Sequence, residues 1–276
     1  MEQRLRKGNS CCAYKEKGIE LPLQGKGASL SPVQLETEVA MDTTLNKRIM
    51  VALDVQGREE ALALAKALQG SGCWLKVGME LYAYTGPAMI QELKELGFPI
   101  FLDLKLHDIP TTVERAIRGY VQCGVDMINV HCSGGYDMMA RAADAARDAG
   151  SKLNNVPKVI GVTVLTSMSE NQFRKEMGVQ RKLPEHVVEL AKLAEKAGLD
   201  GVVASAMEAR ELRQNTEPGF LIVTPGIRPA WSEAQDQARV LTPHEALAAG
   251  SSYLVVGRPI TRAEDPRQAL ERLWIR

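Results

Sequence analysis

The feature that most restricts the fold of this chain is a rhythm that sets in near residue 48. Strand-like apolar runs fall at 49–55 (IMVALDV), 74–78 (WLKVG), 99–105 (PIFLDLK), 127–132 (MINVHC), 159–165 (VIGVTVL), 201–205 (GVVAS), 221–225 (LIVTP) and 252–257 (SYLVVG). Between them lie helical patterns: REEALALAKALQG, GPAMIQELKELG, PTTVERAIRGYVQCG, GYDMMARAADAARDAG, PEHVVELAKLAEKAG, AMEARELRQN and PHEALAAG, with EDPRQALERLW closing the chain. Pro at the opening of several of these and Gly at their ends are the expected start and stop residues. A weak internal repeat agrees: CGVDMINV (123–130), AGLDGVVA (197–204) and AGSSYLVV (249–256) each put a helix-ending Gly shortly before a buried strand. Strands alternating with helices imply a parallel sheet, and the count of eight favours a closed (β/α)8 TIM barrel, an α/β fold, over a doubly wound sheet.

Such a barrel accommodates the 276 residues as one large domain. Residues 1–45 mix charge, Gly and Ser with little periodicity and read as a poorly ordered N-terminal extension, leaving 46–276 for the barrel. Met41, just before the first strand, is a candidate start for the compact protein. Lys and Arg total 34 and so do Asp and Glu, so no basic field is on offer to nucleic acid. No apolar run approaches the ~18 residues of a bilayer span, and the N-terminus lacks the apolar core of a secretory signal. Cys73, Cys123 and Cys132 lie in or beside apolar segments, with no C-x-x-C or zinc-type spacing. The expectation is a cytoplasmic protein with thiols reduced and no structural zinc.

One strand is unusual. In FLDLKLHDIPTTV (101–113), Leu102, Leu104 and Leu106 point one way while Phe101, Asp103, Lys105 and His107 point the other. A solvated edge strand would explain two opposite charges one pleat apart, but a closed barrel has no edge. In that architecture the leucines pack on helices, and Asp103 and Lys105 face the interior near the C-terminal mouth. Strand 1 ends in Asp54, strand 2 carries Lys76, and Asp108 follows strand 3, so five charges on neighbouring strands face one mouth. Buried charges must be paired, and Lys76, Asp103, Lys105 and Asp108 sum to zero, as in an alternating network. Across the mouth, strand 7 ends TPGIRP with Gly226 and Arg228, and strand 8 ends VVGRPI with Gly257 and Arg258. A Gly-Arg pair is also an ordinary solvated turn. Two on adjacent strands, where this fold usually seats phosphate, favour an anion clamp. The polar segment 230–240 between them is long enough for a lid, from which Gln237 would reach the phosphate.

DLKLHDIPTT (103–112), LDV at strand 1, LKVG at strand 2, TVLTS (163–167), PGIR (225–228) and VGRPI (256–260) together resemble the orotidine 5′-phosphate decarboxylase family in its bacterial form. The likeness runs from about residue 46 to the end. It implies decarboxylation of orotidine 5′-monophosphate to UMP and CO2 without a cofactor or a metal. By that resemblance Lys105 is the proton donor, Asp103 faces the substrate carboxylate, Lys76 holds Asp103 and a ribose hydroxyl, and Asp54 binds the ribose. Asp108 and Thr112 reach the ribose of a partner subunit's ligand in a homodimer. Thr166 and Ser167 lie at the pyrimidine, and Arg228, Gln237, Gly257 and Arg258 at the phosphate. His107 reads as part of the structural frame.

Two rivals stand beside this reading. Sugar-phosphate decarboxylases and aldolase-like synthases of the same superfamily share the Asp-x-Lys-x-x-Asp strand but look to a Mg²⁺ held partly by an acid on strand 2, where this chain has Lys76. A non-catalytic nucleotide-phosphate sensor is the other, and an intact buried charge network argues against it.

Overall fold

The computed structural model describes residues 44–229, 231 and 241–275. Eight strands pair in sequence order, all parallel, and close on themselves: β1 Ile49–Ala52, β2 Trp74–Gly78, β3 Ile100–Leu106, β4 Met127–His131, β5 Lys158–Val162, β6 Gly201–Val203, β7 Leu221–Thr224 and β8 Tyr253–Val256. Every helical segment expected from the sequence contains a helix, the longest being Gly135–Leu153. Among the described residues no helix is long and apolar enough to cross a membrane.

Alternation sorts the strand side chains into two apolar sets. Ile49, Val51, Leu75, Val77, Ile100, Leu102, Ile128, Val130, Ile222, Leu254 and Val256 join the core between sheet and helices. Met50, Ala52, Phe101, Met127, Ile160, Val223 and Val255 fill the barrel interior. Each fully buried Leu, Ile or Val removes enough apolar surface from water to stabilise by about 1.5–3 kcal/mol. The interior set reaches the C-terminal ends of some strands, as at Ala52, while the inward residues Lys76, Asp103 and Asn129 higher in the barrel are polar.

Three short helices that the sequence reading did not separate follow strand ends: Met79–Thr85, Glu170–Glu176 and Arg258–Thr261. They are too short for a clear periodic signal. The second carries a start signal of a different kind, since Ser169 and Gln172 form a reciprocal capping box. The runs 49–55 and 159–165 leave their ladders early, at Ala52 and Val162, and the remaining residues form mouth loops.

The weak sequence repeat has a physical cause. Just before β4, Asp126 accepts hydrogen bonds from Ile100 N (2.7 Å) and Lys94 Nζ (2.7 Å). At the same place before β6, Asp200 accepts from Val159 N (2.9 Å) and Lys158 Nζ (3.0 Å). Before β8, Ser252 Oγ accepts from Ile222 N (3.1 Å). Each repeat thus uses a polar residue to satisfy an N–H in the first two residues of a neighbouring strand, at the barrel end opposite the mouth.

The chain enters the barrel through Leu45, which packs on the core, and Asn46, whose Oδ1 accepts from Trp274 Nε1 at 2.9 Å. Residues 1–43, the greater part of the expected extension, lie outside the described residues, as do Gln237 and all of 230–240 except Trp231.

Candidate active site

A cavity of about 280 Å³ opens at the C-terminal mouth. Its floor is Ala52, Phe101, Val203 and Val255, the top of the interior core. Asp54, Lys76, Asp103 and Lys105 line one stretch of its wall, Pro225, Gly226, Arg228, Gly257 and Arg258 another, with Gly257 beside Asp54, and Thr166 also borders the cavity. The charges lie on β2 and β3 and just past β1, and closure of the barrel sets β8 beside β1, so the loops after β7 and β8 join the charged residues around one mouth.

The charged wall is a chain of alternating sign. Lys76 Nζ lies 3.1 Å from Asp54 Oδ1 and 3.4 Å from Asp103 Oδ2, and Lys105 Nζ lies 2.8 Å from Asp103 Oδ1. Its members differ sharply in exposure: 60% for the Asp54 side chain, 9% for Lys76, 13% for Asp103 and 27% for Lys105. Asp103 is the electrostatic centre. Burial by itself pushes its carboxyl up, but the Lys76 and Lys105 ammoniums, with hydrogen bonds from Lys105 and Asn129, hold it below the usual carboxylate range. The site therefore keeps an ionised carboxylate between two cations in a poorly hydrated mouth.

Packing explains the tightness of this wall. A Cβ on Gly78 would stand 3.2 Å from Lys76 Nζ and 3.5 Å from Asp54 Oδ1, so a larger residue would crowd the ammonium. A Cβ on Gly257 would meet Ala52 and Asp54 only at ordinary contact distances, so what it would take away is room at the cavity edge. Gly226 has φ +81°, a conformation that other residues adopt at a cost.

Within the single chain the neutral network runs through Asp54, Lys76, Asp103 and Lys105, and the expected member Asp108 does not join it. Asp108 is exposed, accepts from its own neighbour Ile109 N (2.7 Å) and makes no ion pair among the described residues. Thr112 is likewise exposed, one turn into the helix Pro110–Gln122, and neither residue borders the cavity. The reason is local: β3 ends at Leu106 and Ile109–Pro110 starts a helix, carrying the chain away from the mouth. Ser167 is exposed and lies outside the cavity wall that Thr166 helps to form.

Two neighbours of the charged wall escaped the sequence reading. Asn129, on β4, is fully buried, donates from Nδ2 to Asp103 Oδ1 (2.7 Å) and accepts at Oδ1 from Lys105 N (2.7 Å). Its signal was available: a polar residue of inward parity within MINVHC. His131, two residues on, has its ring 5.5 Å from that of His107. Burial first, then the nearby His107 and Lys105, push its imidazole below the usual histidine range, against an opposing pull from Asp103.

Fold and site together define a class of protein: a (β/α)8 barrel enzyme that can clamp an anionic group at one side of its mouth and stabilise developing negative charge at the other. Comparison narrows this. The family described as orotidine 5′-phosphate decarboxylase / HUMPS matches residues 47–273, and the chain belongs to that family. It is 51% identical over 221 residues to the orotidine 5′-phosphate decarboxylase of Pseudoalteromonas translucida (strain TAC 125), covering 80% of this chain and 93% of that one. To the enzyme of that name from Moorella thermoacetica it is 50% identical over 220 residues, 79% of this chain and 87% of the relative. The crystal structure of orotidine 5′-phosphate decarboxylase from Lactobacillus acidophilus superposes with a TM-score of 0.74 at 40% identity, covering 82% of this chain and 96% of that one.

Proposed function

We propose that this chain converts orotidine 5′-monophosphate to UMP and CO2 without a cofactor, the last step of de novo UMP synthesis. The observation that carries the reading is the juxtaposition in one cavity of the Asp54–Lys76–Asp103–Lys105 chain and the glycine–arginine wall of Gly226, Arg228, Gly257 and Arg258. The wall suits a phosphate, because Arg offers a charge-assisted fork and glycines admit the ligand close to the backbone. The ribose hydroxyls then face Asp54 and Lys76, and the pyrimidine lies toward Thr166, Ser167 and Lys105.

The chemistry follows from charge. Breaking the bond between C6 and the carboxylate releases CO2 and leaves an electron pair on C6 that the ring delocalises poorly. An ammonium at C6 gains most as that pair develops, so Lys105 stabilises the transition state more than the ground state. Its Nζ proton then passes to C6, giving UMP, and the amine is reprotonated from water. Asp103 faces the leaving carboxylate, while Lys76 keeps Asp103 ionised and oriented. Phosphate binding energy fixes the ring against these groups.

In this reading residues 46–276 are the catalytic domain, and the enzyme works in the cytoplasm as a homodimer. Asp108 and Thr112 are exposed outside their own chain's cavity, and Ile109 between them is 66% exposed, which suits residues that serve a second copy. The test is purified full chain with orotidine 5′-monophosphate, following loss of the orotate absorbance before and after EDTA treatment and dialysis. Turnover unchanged by EDTA is expected. No turnover overturns the reading, and activity lost to EDTA and restored by Mg²⁺ assigns the chain to the metal-dependent synthase branch.

A further inference from the structure

β3 and β4 do not run in register through the site. Leu102 pairs with Ile128 and Leu106 with Val130, so four steps along β3 stand against two along β4. The extra length bulges at Lys105, whose φ of +53° lies in the left-handed region. For a residue with a Cβ this conformation is unfavourable and persists only where the surroundings hold it. The bulge also takes the Lys105 N–H out of the ladder, and a buried N–H must find another acceptor.

Asn129 sits opposite that gap, fully buried, while its other edge pairs regularly with Ile160 on β5. Its amide orientation is determined by its neighbours, because Lys105 N–H requires an acceptor and the Asp103 carboxylate requires a donor. The two bonds of 2.7 Å tie the backbone of one charged residue to the side chain of the other. Asp103 Oδ1 receives both Asn129 Nδ2 and Lys105 Nζ, which leaves Oδ2 directed at Lys76. An aliphatic residue here would extend the apolar barrel interior that includes Met127 and Ile160, but would satisfy neither group.

We propose that Asn129 is a positioning residue for the decarboxylation: it stabilises the bulge that aims the Lys105 ammonium and fixes the rotation of the Asp103 carboxylate. This deepens the functional reading above and rests on it. Asn129 acts through Lys105 and Asp103, so its loss affects the chemical step and leaves the distant phosphate contacts intact.

The experiment compares wild type with Asn129→Ala and Asn129→Asp in steady-state kinetics on orotidine 5′-monophosphate and in UMP binding by calorimetry. Alanine removes both bonds. Aspartate is isosteric and keeps the acceptor for Lys105 N–H, but sets a carboxylate oxygen against Asp103. Both variants are expected to lose about 10²-fold in kcat, the order of effect of a displacement near 1 Å, with KM and the Kd for UMP within a few-fold of wild type. A folded variant with wild-type kcat overturns the proposal, as does a loss expressed equally in UMP affinity. If Asn129→Ala fails to fold, the isosteric Asn129→Asp carries the test. Wild-type turnover is measured first, and its absence would refute the decarboxylase reading itself rather than the role of Asn129 within it.

Discussion

Asp103→Asn tests the account of the charged wall most directly, because it changes one charge and almost no volume. In the native site the four charges of Asp54, Lys76, Asp103 and Lys105 cancel, and the substitution leaves a net positive site. Lys76, 9% exposed, then depends on Asp54, whose 60% exposure lets water weaken the pair. Lys105, 27% exposed, loses its partner at 2.8 Å but recovers part of the loss through hydration. Removing one member of a fully buried pair costs about 3–5 kcal/mol. Because Lys105 is partly hydrated and Lys76 keeps a weakened partner, the cost falls at or below the bottom of that range, about 2–3 kcal/mol. For a chain of this size that lowers the melting temperature by roughly 4–12 °C.

The assay is the unfolding midpoint of ligand-free wild type and Asp103→Asn, by urea and by heat, from neutral pH downward. The folded-state pKa of Asp103 is depressed, so its stabilisation is present in full above the unfolded value of roughly 3.9 and is lost only as pH falls through the lower folded value. The gap between the two proteins should therefore hold constant from neutral to mildly acidic conditions and close only below about pH 4. A variant more stable than wild type would refute the reasoning, since it would show the ammoniums strained by Asp103 rather than paired with it. A gap that closes near neutral pH would assign the effect to another group, with His131 the nearest candidate.

Arg258→Ala should weaken UMP binding by about 10–100-fold, the worth of a charge-assisted contact, while binding of uridine stays nearly unchanged; equal losses in calorimetry would make Arg258 structural. Asp126→Ala should cost about 1–3 kcal/mol in urea unfolding by orphaning Ile100 N–H, with kcat retained because Asp126 lies at the end opposite the mouth; a kcat loss would contradict that separation. Lys105→Ala and Asp108→Ala homodimers should each be nearly inactive, and mixing them with subunit exchange should restore roughly a quarter of wild-type activity; no recovery despite confirmed exchange would refute the shared site. A chain starting at Met41 should fold and turn over substrate like the full chain; aggregation or a markedly lower melting temperature would show that the first 40 residues support the barrel.

The barrel was legible because its determinants are local and repeat eight times. Apolar runs too short for helices, amphipathic stretches between them, and Pro and Gly at the boundaries report the same alternation wherever the chain is read. Strand parity was enough to send Asp103 and Lys105 inward with Lys76, and to set Gly226–Arg228 and Gly257–Arg258 at the same end of the barrel. What local signals could not supply was the pairing between strands. The offset of β3 against β4 depends on two segments some 25 residues apart, and only that offset explains the left-handed Lys105 and the need for Asn129 opposite it. For the same reason it is Asp54 that meets Lys76 within the chain: distance through a closed barrel, rather than nearness in sequence, decides which charge a lysine meets. Periodicity is a property of a segment by itself, whereas register and charge pairing belong to segments in contact, and they exist only once the barrel has closed.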